Sequence, residues 1–425
     1  MSLFKIQKSN VPSEIFAAID IGSSKVCCAI AKLNREISAE SNITIKVVGA
    51  ASHATRGIRG ASITNLEELE DSILNCVHSA EQLAKQTIRS VYVNIPAEAL
   101  QSHYITTKIS ISGHPIKESH LSRALDLSRD QKSIGNNRKI IHIFPISYDL
   151  DNNTNIQDPK GMLGDVLTTR LHVITAPTNL IANLSACIGR CHLDIDAFVA
   201  GPYATALSCL VNDEKEMGVT LLDIGSHSIS MMCFHNGNPI YMGCIPLGGS
   251  HITHDIAQGL NTNLSQAERL KTLYGTLLGT LDDRETILVT QLGEDETSYA
   301  NPVSKSFLMH IIKARADEII ENIDHTLRLQ HIDPIAMQRF VITGGSSQLQ
   351  GMRDVMQSHF NKSIRVATPQ GLQGVGDIVN TPTFSLCAGL LHYAKREYQG
   401  LQMYTALEKP KGVFARAWKW IRQHI

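Results

Sequence analysis

Two stretches of the chain place the same reactive groups in the same setting. Residues 16–31 read FAAIDIGSSKVCCAIA and residues 220–235 read TLLDIGSHSISMMCFH. In each, an apolar run ends on Asp-Ile-Gly-Ser and an apolar run then resumes, the pattern of a hairpin. Asp20 and Asp223, at the ends of buried strands, are placed to hold the water shell of Mg²⁺, a hard cation that keeps several waters and uses few carboxylates. Gly22 and Gly225 tolerate positive φ, so each turn is expected to bring backbone N–H groups and serine hydroxyls against an anion. Two such hairpins facing across a cleft would clamp a nucleoside triphosphate from both sides. Either one alone reads better as an ordinary tight turn; their repetition in one strand context favours phosphate. A third element, VITGGS at 341–346, sets a Gly pair at the end of an apolar strand, ahead of SQLQGMRDVMQSHF. It offers backbone amides at an expected helix N-terminus.

The elements that must carry these turns alternate along the chain. AAIDIG and KVCCAIAKL pair as a hairpin, ITIKVVGAAS is a further strand, and TNLEELEDSILNCVHSAEQLAK is a helix opened by a Thr64-x-x-Glu67 capping box. From Val91 to Leu171 the pattern of VYVNI, HYITTKISI, KESHLSRALDLSR and KIIHIFPISYDL predicts a small inserted β/α domain. Residues 252–334 are mostly helical. The sum is a duplicated, two-lobed α/β protein. Its expected parts are a loose leader at 1–13, a first lobe from 14–90, 172–200 and 368–397, the insert at 91–171, a second lobe from 201–251 and 335–367, a helical subdomain at 252–334, a linker at 398–410 and an amphipathic helix at 411–425.

Bulk composition agrees with a multi-domain globular chain: 425 residues, 43% of them hydrophobic. The formal net charge of −1 advertises no nucleic acid. Nine scattered cysteines on apolar stretches fit a reducing cytosol. Cys187, Cys191 and His192 lie close in sequence, but no second Cys or His cluster completes a four-ligand zinc site. The N-terminus lacks the apolar core of a signal peptide, and 18 apolar residues run together nowhere.

Taken together and in order, the three turn motifs resemble the phosphate-1, phosphate-2 and adenosine motifs of the actin/Hsp70/sugar-kinase superfamily, with its duplicated ribonuclease H-like ATPase fold. Further stretches narrow the resemblance to the FtsA family of bacterial cell division proteins. These are SVYVNIPAEAL to IIHIFPISYDL for the insert, LGGSHITHDIAQGLNTNLSQAERLK, VATPQGLQGVGDIVNTPTFSLCAGLLHYAKRE and the tail KGVFARAWKWIRQHI. The resemblance implies that ATP is held by Asp20, Gly22, Ser23, Ser24 and Lys25 of phosphate-1, by Asp223, Gly225, Ser226 and Ser228 of phosphate-2, by Gly248 and Gly249 of the following segment, and by Gly344, Gly345 and Ser346. It assigns Glu268 and Lys271 to the nucleoside. Ser265-x-x-Glu268 also reads as a capping box, which leaves Glu268 with two competing tasks and Lys271 with one.

One departure bears on activity. The family's phosphate-2 carries glycines where this chain has Ser226 and His227, and a second Asp where it has Ser230. No base for water stands in AFVAGPYATALS. ATP binding with at most slow hydrolysis is therefore expected, and His227 reads either as a phosphate contact at low pH or as a surface-turn histidine.

The tail has its own physics. At 100° per residue, Val413, Phe414, Ala417, Trp418, Trp420, Ile421 and Ile425 fill an arc of about 160°, with Arg416, Lys419 and Arg422 opposite. Both tryptophans of the chain lie there, and residues 408–425 carry five Lys/Arg against Glu408. The pattern suits an interfacial helix on anionic inner-membrane lipid, as it does a terminal helix packed on its own core. The resemblance further implies self-assembly into protofilaments, other division proteins bound through the insert, and the FtsZ C-terminal peptide bound near Lys305, Lys313 and Arg315, which otherwise read as a solvated helix face. It places the protein at the cytoplasmic face of the division septum. A small-molecule kinase and a pilus-assembly adaptor of the same fold are the alternatives.

Overall fold

The computed structural model describes residues 15–35, 43–129, 134–278, 285–290, 301–329, 335–374 and 377–407. The expected leader and the tail residues Val413, Phe414, Arg416, Trp418, Lys419, Trp420, Ile421, Arg422 and Ile425 lie outside them. The first lobe opens with an antiparallel meander of β1 (Ile15–Ile21), β2 (Lys25–Arg35) and β3 (Ile43–Ala54). The short pair β4 (Ile58–Arg59) and β5 (Ser62–Ile63) leads into α1 (Leu66–Ala84) and β6 (Ser90–Ile95). Helix α1 is capped by Asn65, whose side chain accepts from the Glu67 and Glu68 N–H groups, and not by Thr64 as expected. The Asn carbonyl reaches two orphan amides where the threonine stands one residue too early.

The insert is a four-stranded sheet with one helix: β7 (Gln101–Ser110), α2 (Glu118–Arg129), β8 (Arg138–Leu150), β9 (Asn153–Ile156) and β10 (Val166–Pro177), in the order β7-β10-β8-β9. Both expected boundaries of the insert move. The VYVNI segment is β6 of the main sheet, parallel to β1 and buried on both faces, and β10 carries the insert's sheet on to Pro177. An unbroken apolar run marks a doubly covered parallel strand, whereas the insert's β7 alternates exposed and buried residues.

Helix α3 (Thr178–Arg190) and β11 (Asp194–Ala200) return to the first lobe and complete its sheet, β11-β6-β1-β2-β3 with a late strand, β19 (Leu372–Gly374), at the edge. The chain then crosses through α4 (Gly201–Cys209) and α5 (Asn212–Met217) into β12 (Val219–Ile224), β13 (Ile229–His235) and β14 (Asn238–Ile245). Next come α6 (Gly249–Gly259), α7 (Leu264–Tyr274), the hairpin β15 (Thr286–Val289) and β16 (Asn301–Ser304), and α8 (Lys305–Leu329). Strand β17 (Arg339–Thr343), α9 (Met352–Phe360), β18 (Ser363–Val366), β19 (Leu372–Gly374) and α10 (Ser385–Leu407) finish the described chain. Helix α10 covers the first part of the stretch expected as a linker, because Gly400 alone does not break a helix and no proline intervenes before Pro410.

The second lobe's sheet runs β14-β13-β12-β17-β18. It matches the first lobe's β3-β2-β1-β6-β11 strand for strand: an antiparallel meander, then two parallel additions. The duplication expected from the sequence is thus a duplication of topology. Helix α4, expected as part of the second lobe, lies between the two. Ala204 packs with Ala18, Phe384 and Leu391, while Ala206 and Cys209 belong to the cluster holding Leu221, Met232 and Phe234. The insert also reaches across. Ser102 Oγ donates to the Met242 carbonyl at 3.0 Å and the Tyr104 hydroxyl to the Ile240 carbonyl at 3.1 Å, so β7 covers the edge strand β14.

Candidate functional site

The two Asp-bearing turns are built alike. Gly22 N–H donates to the Lys25 carbonyl at 3.0 Å, and Gly225 N–H to the Ser228 carbonyl at 3.0 Å. A Cβ on either glycine would lie 2.9 Å from that same oxygen. Neither takes the positive φ expected of it. Glycine is needed there because a carbonyl three residues on comes too close for a side chain, and handedness plays no part. Gly344, in contrast, has φ of 88°, and a Cβ on it would strike Asp223 Oδ1.

These turns face one cleft of about 830 Å³ between the lobes. Its walls include Asp20, Gly22, Ser23, Ser24 and Lys25 from the first lobe, and Asp223, Gly225, Ser226, His227 and Ser228 from the second. Gly249, Glu268, Lys271, Gly344, Gly345 and Ser346 complete that lining. Gly248 stands behind it, where a Cβ would meet the Gly225 and Ser226 carbonyls. The second-lobe turn is locked from two sides. The Gly225 carbonyl accepts from Gly249 N–H at 3.0 Å and from the Ser346 hydroxyl at 2.9 Å, and the Ser226 carbonyl accepts from Ser250. The Gly pair opens a short 3₁₀ turn over Gly345–Gln348, and α9 starts only at Met352, because Gly351 in the left-handed region interrupts the helix expected there.

Burial dominates the electrostatics. Asp20 is pushed up to about 7 by desolvation, with Lys25 pulling down and Asp223 pushing up. Asp223 is pushed up to about 6, against the Thr205 hydrogen bond and the Lys25 charge. The Lys25 ammonium itself donates to the Thr383 carbonyl at 2.9 Å. Two carboxylates that resist ionisation in one cleft suit a divalent cation, whose charge would reverse the local balance. Among the described residues no group of three or more His, Cys, Asp or Glu side chains gathers around a metal position, so the donor set fits a hydrated ion and not an all-protein cage.

Glu268 and Lys271 meet at 2.7 Å, and Thr253 Oγ1 donates to Glu268 at 2.5 Å. The Lys271 ammonium also donates to the Gly249 carbonyl and to Thr253 Oγ1. The expected capping box is not made: Asn263 caps α7 by accepting from Gln266 N–H, so Ser265 lies inside the helix. His227 is half-buried in the cleft wall. Burial and the charges of His251, Arg59 and His254 lower its pKa, opposed by Glu98, and its buried Nδ1 has no partner among the described residues.

Three lining or supporting residues escaped the sequence reading. Asn94, 2% exposed, accepts from Ile21 N–H at 2.8 Å and so fixes the end of β1; its signal was a lone amide in an apolar strand. Thr205 donates to Asp223 at 3.1 Å. Glu98 brings a further carboxylate to the cleft wall, from the turn after β6 and not from AFVAGPYATALS.

The basic residues expected to meet a peptide are not a free patch. Arg315 grips Asp255 through Nε and Nη2 at 2.5 and 2.9 Å and reaches Glu318 at 2.6 Å. Lys305 pairs with Glu285 at 2.8 Å, and Lys313 is exposed. Cys187 and Cys191 are buried free thiols.

Similarity to known proteins can be set on this geometry. A family model described as Cell division protein FtsA matches residues 220–389, and one described as SHS2 domain inserted in FTSA matches 97–175, the insert. The chain is 34% identical to the cell division protein FtsA of Agrobacterium fabrum, over 98% of this chain and 96% of that one. It is 24% identical to that of Escherichia coli K12, over 96% of both. Among solved structures, a chain of the PilM-PilN type IV pilus biogenesis complex superposes with a TM-score of 0.65 at 15% identity, covering 89% of this chain and 98% of that one. MreB 5 of Spiroplasma citri bound to AMPPNP gives 0.54 at 11%, covering 92% and 98%. At those identities the likeness concerns the fold, which is actin-like.

Proposed function

Because the chain belongs to the FtsA family of cell division proteins, we propose that its interlobe cleft binds ATP with Mg²⁺, and that loaded protomers assemble into protofilaments that tether the FtsZ ring to the membrane. It is an actin-like cell division protein. The single observation that carries the nucleotide reading is the pair of like-built turns, each ending a buried strand on an aspartate, that face one cleft. MreB 5 of S. citri, of the same fold, has been solved with AMPPNP and with ADP, which supports that reading.

In this scheme Ser23, Ser24, Ser226 and Ser228 offer hydroxyls to phosphate oxygens, and the turn backbones offer amides. Asp20 and Asp223 hold the hydrated ion, which neutralises phosphate charge when bound. Lys271 and Glu268, fixed to each other and to α6, form the nucleoside side, with Gly344, Gly345 and Ser346 opposite. Side chains at Ser226 and His227 narrow the approach that glycines leave open, and Ser230 supplies no second carboxylate, so hydrolysis is slow.

The helical subdomain receives the acidic FtsZ tail, with Lys313 free to meet it and Arg315 and Lys305 exchanging their present carboxylate partners. The insert presents the surface for later division proteins. Residues 411–425 lie on anionic lipid as an interfacial helix, and polymerisation raises the effective concentration of each added tail. Among the described residues no helix is long and apolar enough to cross a membrane. In this reading the tail holds the protein, as a peripheral one, at the inner face of the septum. Membership of this family sets aside the small-molecule kinase and the pilus-assembly adaptor.

The test is an equilibrium titration with ATP, with and without Mg²⁺. Wild type is expected to gain affinity from Mg²⁺ and Asp20→Asn/Asp223→Asn to gain none; equal gains would overturn the assignment. Sedimentation with anionic vesicles, comparing the full chain with one ending at Leu407, tests the anchor, and equal pelleting would refute it.

A further inference from the structure

One carboxylate enters the cleft from outside the two Asp-bearing turns. Strand β6 ends at Ile95, Pro96 bends the chain with φ of −60°, and a single 3₁₀ turn over Ala97–Ala99 carries Glu98. The insert holds this turn in place. Arg138 of β8 donates through Nη2 to the Ala99 carbonyl at 2.8 Å and through Nε to Thr175 Oγ1 at 2.8 Å. The turn also packs against β14 of the second lobe, so it lies where the lobes meet. Ala97 is buried, whereas Glu98 is half-buried and lines the cleft. Among the described residues its carboxylate makes no hydrogen bond or ion pair.

The neighbours of Glu98 mark one end of the cleft. Its Oε1 lies 3.9 Å from where a Cβ on Gly60 would stand, and the Gly60 carbonyl accepts from the Ser23 hydroxyl at 3.3 Å, which ties the carboxylate to the first-lobe turn. His227 lines the same cleft from the second-lobe turn. Burial, followed by the His251 field, outweighs Glu98 and keeps that imidazole neutral near pH 7, so no imidazolium competes for the carboxylate. On the other side of the second-lobe turn, Gly225 is held by Gly249 and Ser346, and Lys271 donates to the Gly249 carbonyl at 3.0 Å. A nucleotide with its nucleoside at Lys271 and its phosphates across the two turns therefore points its terminal phosphate toward Ser23, Glu98 and His227.

Resting on the nucleotide reading above, we propose that Glu98 is the catalytic base of the slow ATP hydrolysis, orienting the attacking water at the terminal phosphate and taking its proton. The water oxygen bonds to the γ-phosphorus, and the bond from that phosphorus to the bridging oxygen breaks with its electron pair leaving on ADP. The proton passes to Glu98 and then to solvent. A carboxylate in a cleft, free of protein partners and held on a fixed turn, has the geometry that proton abstraction needs. The residue stands on the segment that also carries Asn94, whose amide fixes the end of β1 beside Asp20. One short stretch, VNIPAE, thus serves both the ion side and the water side of the cleft.

Single-turnover hydrolysis of γ-labelled Mg-ATP by the full chain tests the role, beside two binding measurements. Glu98→Gln keeps the shape of the side chain and removes no protein contact, so the fold is retained. It is expected to slow hydrolysis by about a hundredfold, the range of general-base catalysis, and to leave ATP affinity unchanged. Affinity for ADP with aluminium fluoride, a mimic of the transferring phosphoryl group, should fall in the same variant, because the water contact strengthens only toward the transition state. Unchanged hydrolysis, or a loss that merely follows a loss of ATP affinity, overturns the assignment. A larger loss with His227→Gln than with Glu98→Gln would move the base to the histidine and overturn it as well. If wild type binds no ATP, the nucleotide reading fails and this one with it; if wild type binds ATP and Glu98→Gln matches it in hydrolysis, the base assignment alone falls.

Discussion

The Thr205 hydroxyl donates to Asp223 Oδ2 at 3.1 Å, tying the helix that lies between the lobes to the carboxylate at the end of β12. This bond favours the ionised carboxylate against its burial. Thr205→Val should therefore raise Asp223 further and weaken Mg-ATP binding by about tenfold, the range of a hydrogen bond to a charged group. Thr205→Ser should restore it. Titration of both variants at neutral pH checks the pair, and an unaffected valine variant would remove Asp223 from the ion site.

Gly344 and Gly345 are neighbours with different constraints. At Gly344 a Cβ would collide with Asp223 and the backbone has positive φ, whereas at Gly345 the nearest atom to a Cβ is Thr383 Cγ2 at 3.5 Å. Gly344→Ala should lose nucleotide affinity and about 1–3 kcal/mol of stability, the range for a strained backbone. Gly345→Ala should stay close to wild type in stability. Chemical denaturation beside ligand titration separates the two effects.

The Arg315–Asp255 ion pair makes the peptide reading testable in both directions. Asp255→Asn releases part of the guanidinium and should tighten binding of the FtsZ C-terminal peptide. Arg315→Ala should weaken it. Fluorescence anisotropy with labelled peptide measures both, and a gain on Arg315→Ala would show that the arginine serves only to hold α8 to α6.

Two buried histidines give the fold an acid limit. His142 accepts from Ala200 N–H at 3.0 Å and is lowered to about 3 by burial and then by the His172 field. His172, 2.9 Å from the Pro239 carbonyl and from Ser102 Oγ, is lowered to about 4, again chiefly by burial. The unfolded chain takes up these protons near pH 6.5, before the folded one does. Their contribution is thus complete above about pH 6.5 and is lost as pH falls toward the folded values. For His172 it amounts to on the order of 3 kcal/mol. Urea midpoints between pH 7 and pH 4.5 should fall steeply, and His172→Gln should flatten that slope.

Turn chemistry and strand periodicity are local properties, so the two hairpins, their aspartates and the alternation of strands and helices could be read directly. The insert's first boundary was misplaced because VYVNI looks like a strand in either sheet; only its parallel pairing with β1 and β11 assigns it. At the starts of α1 and α7 a threonine or serine competes with an asparagine one or two residues away, and helix entry geometry, which the sequence does not carry, decides for Asn65 and Asn263.

The amino-acid order alone determined that two like turns exist, which carboxylates they carry, and that a basic amphipathic segment closes the chain. Tertiary structure decided what stands behind them. Asn94 meets Ile21 across 73 residues, and Arg315 meets Asp255 across 60. Such partners depend on strand order and lobe packing, which bring together groups whose separation along the chain carries no periodic signal.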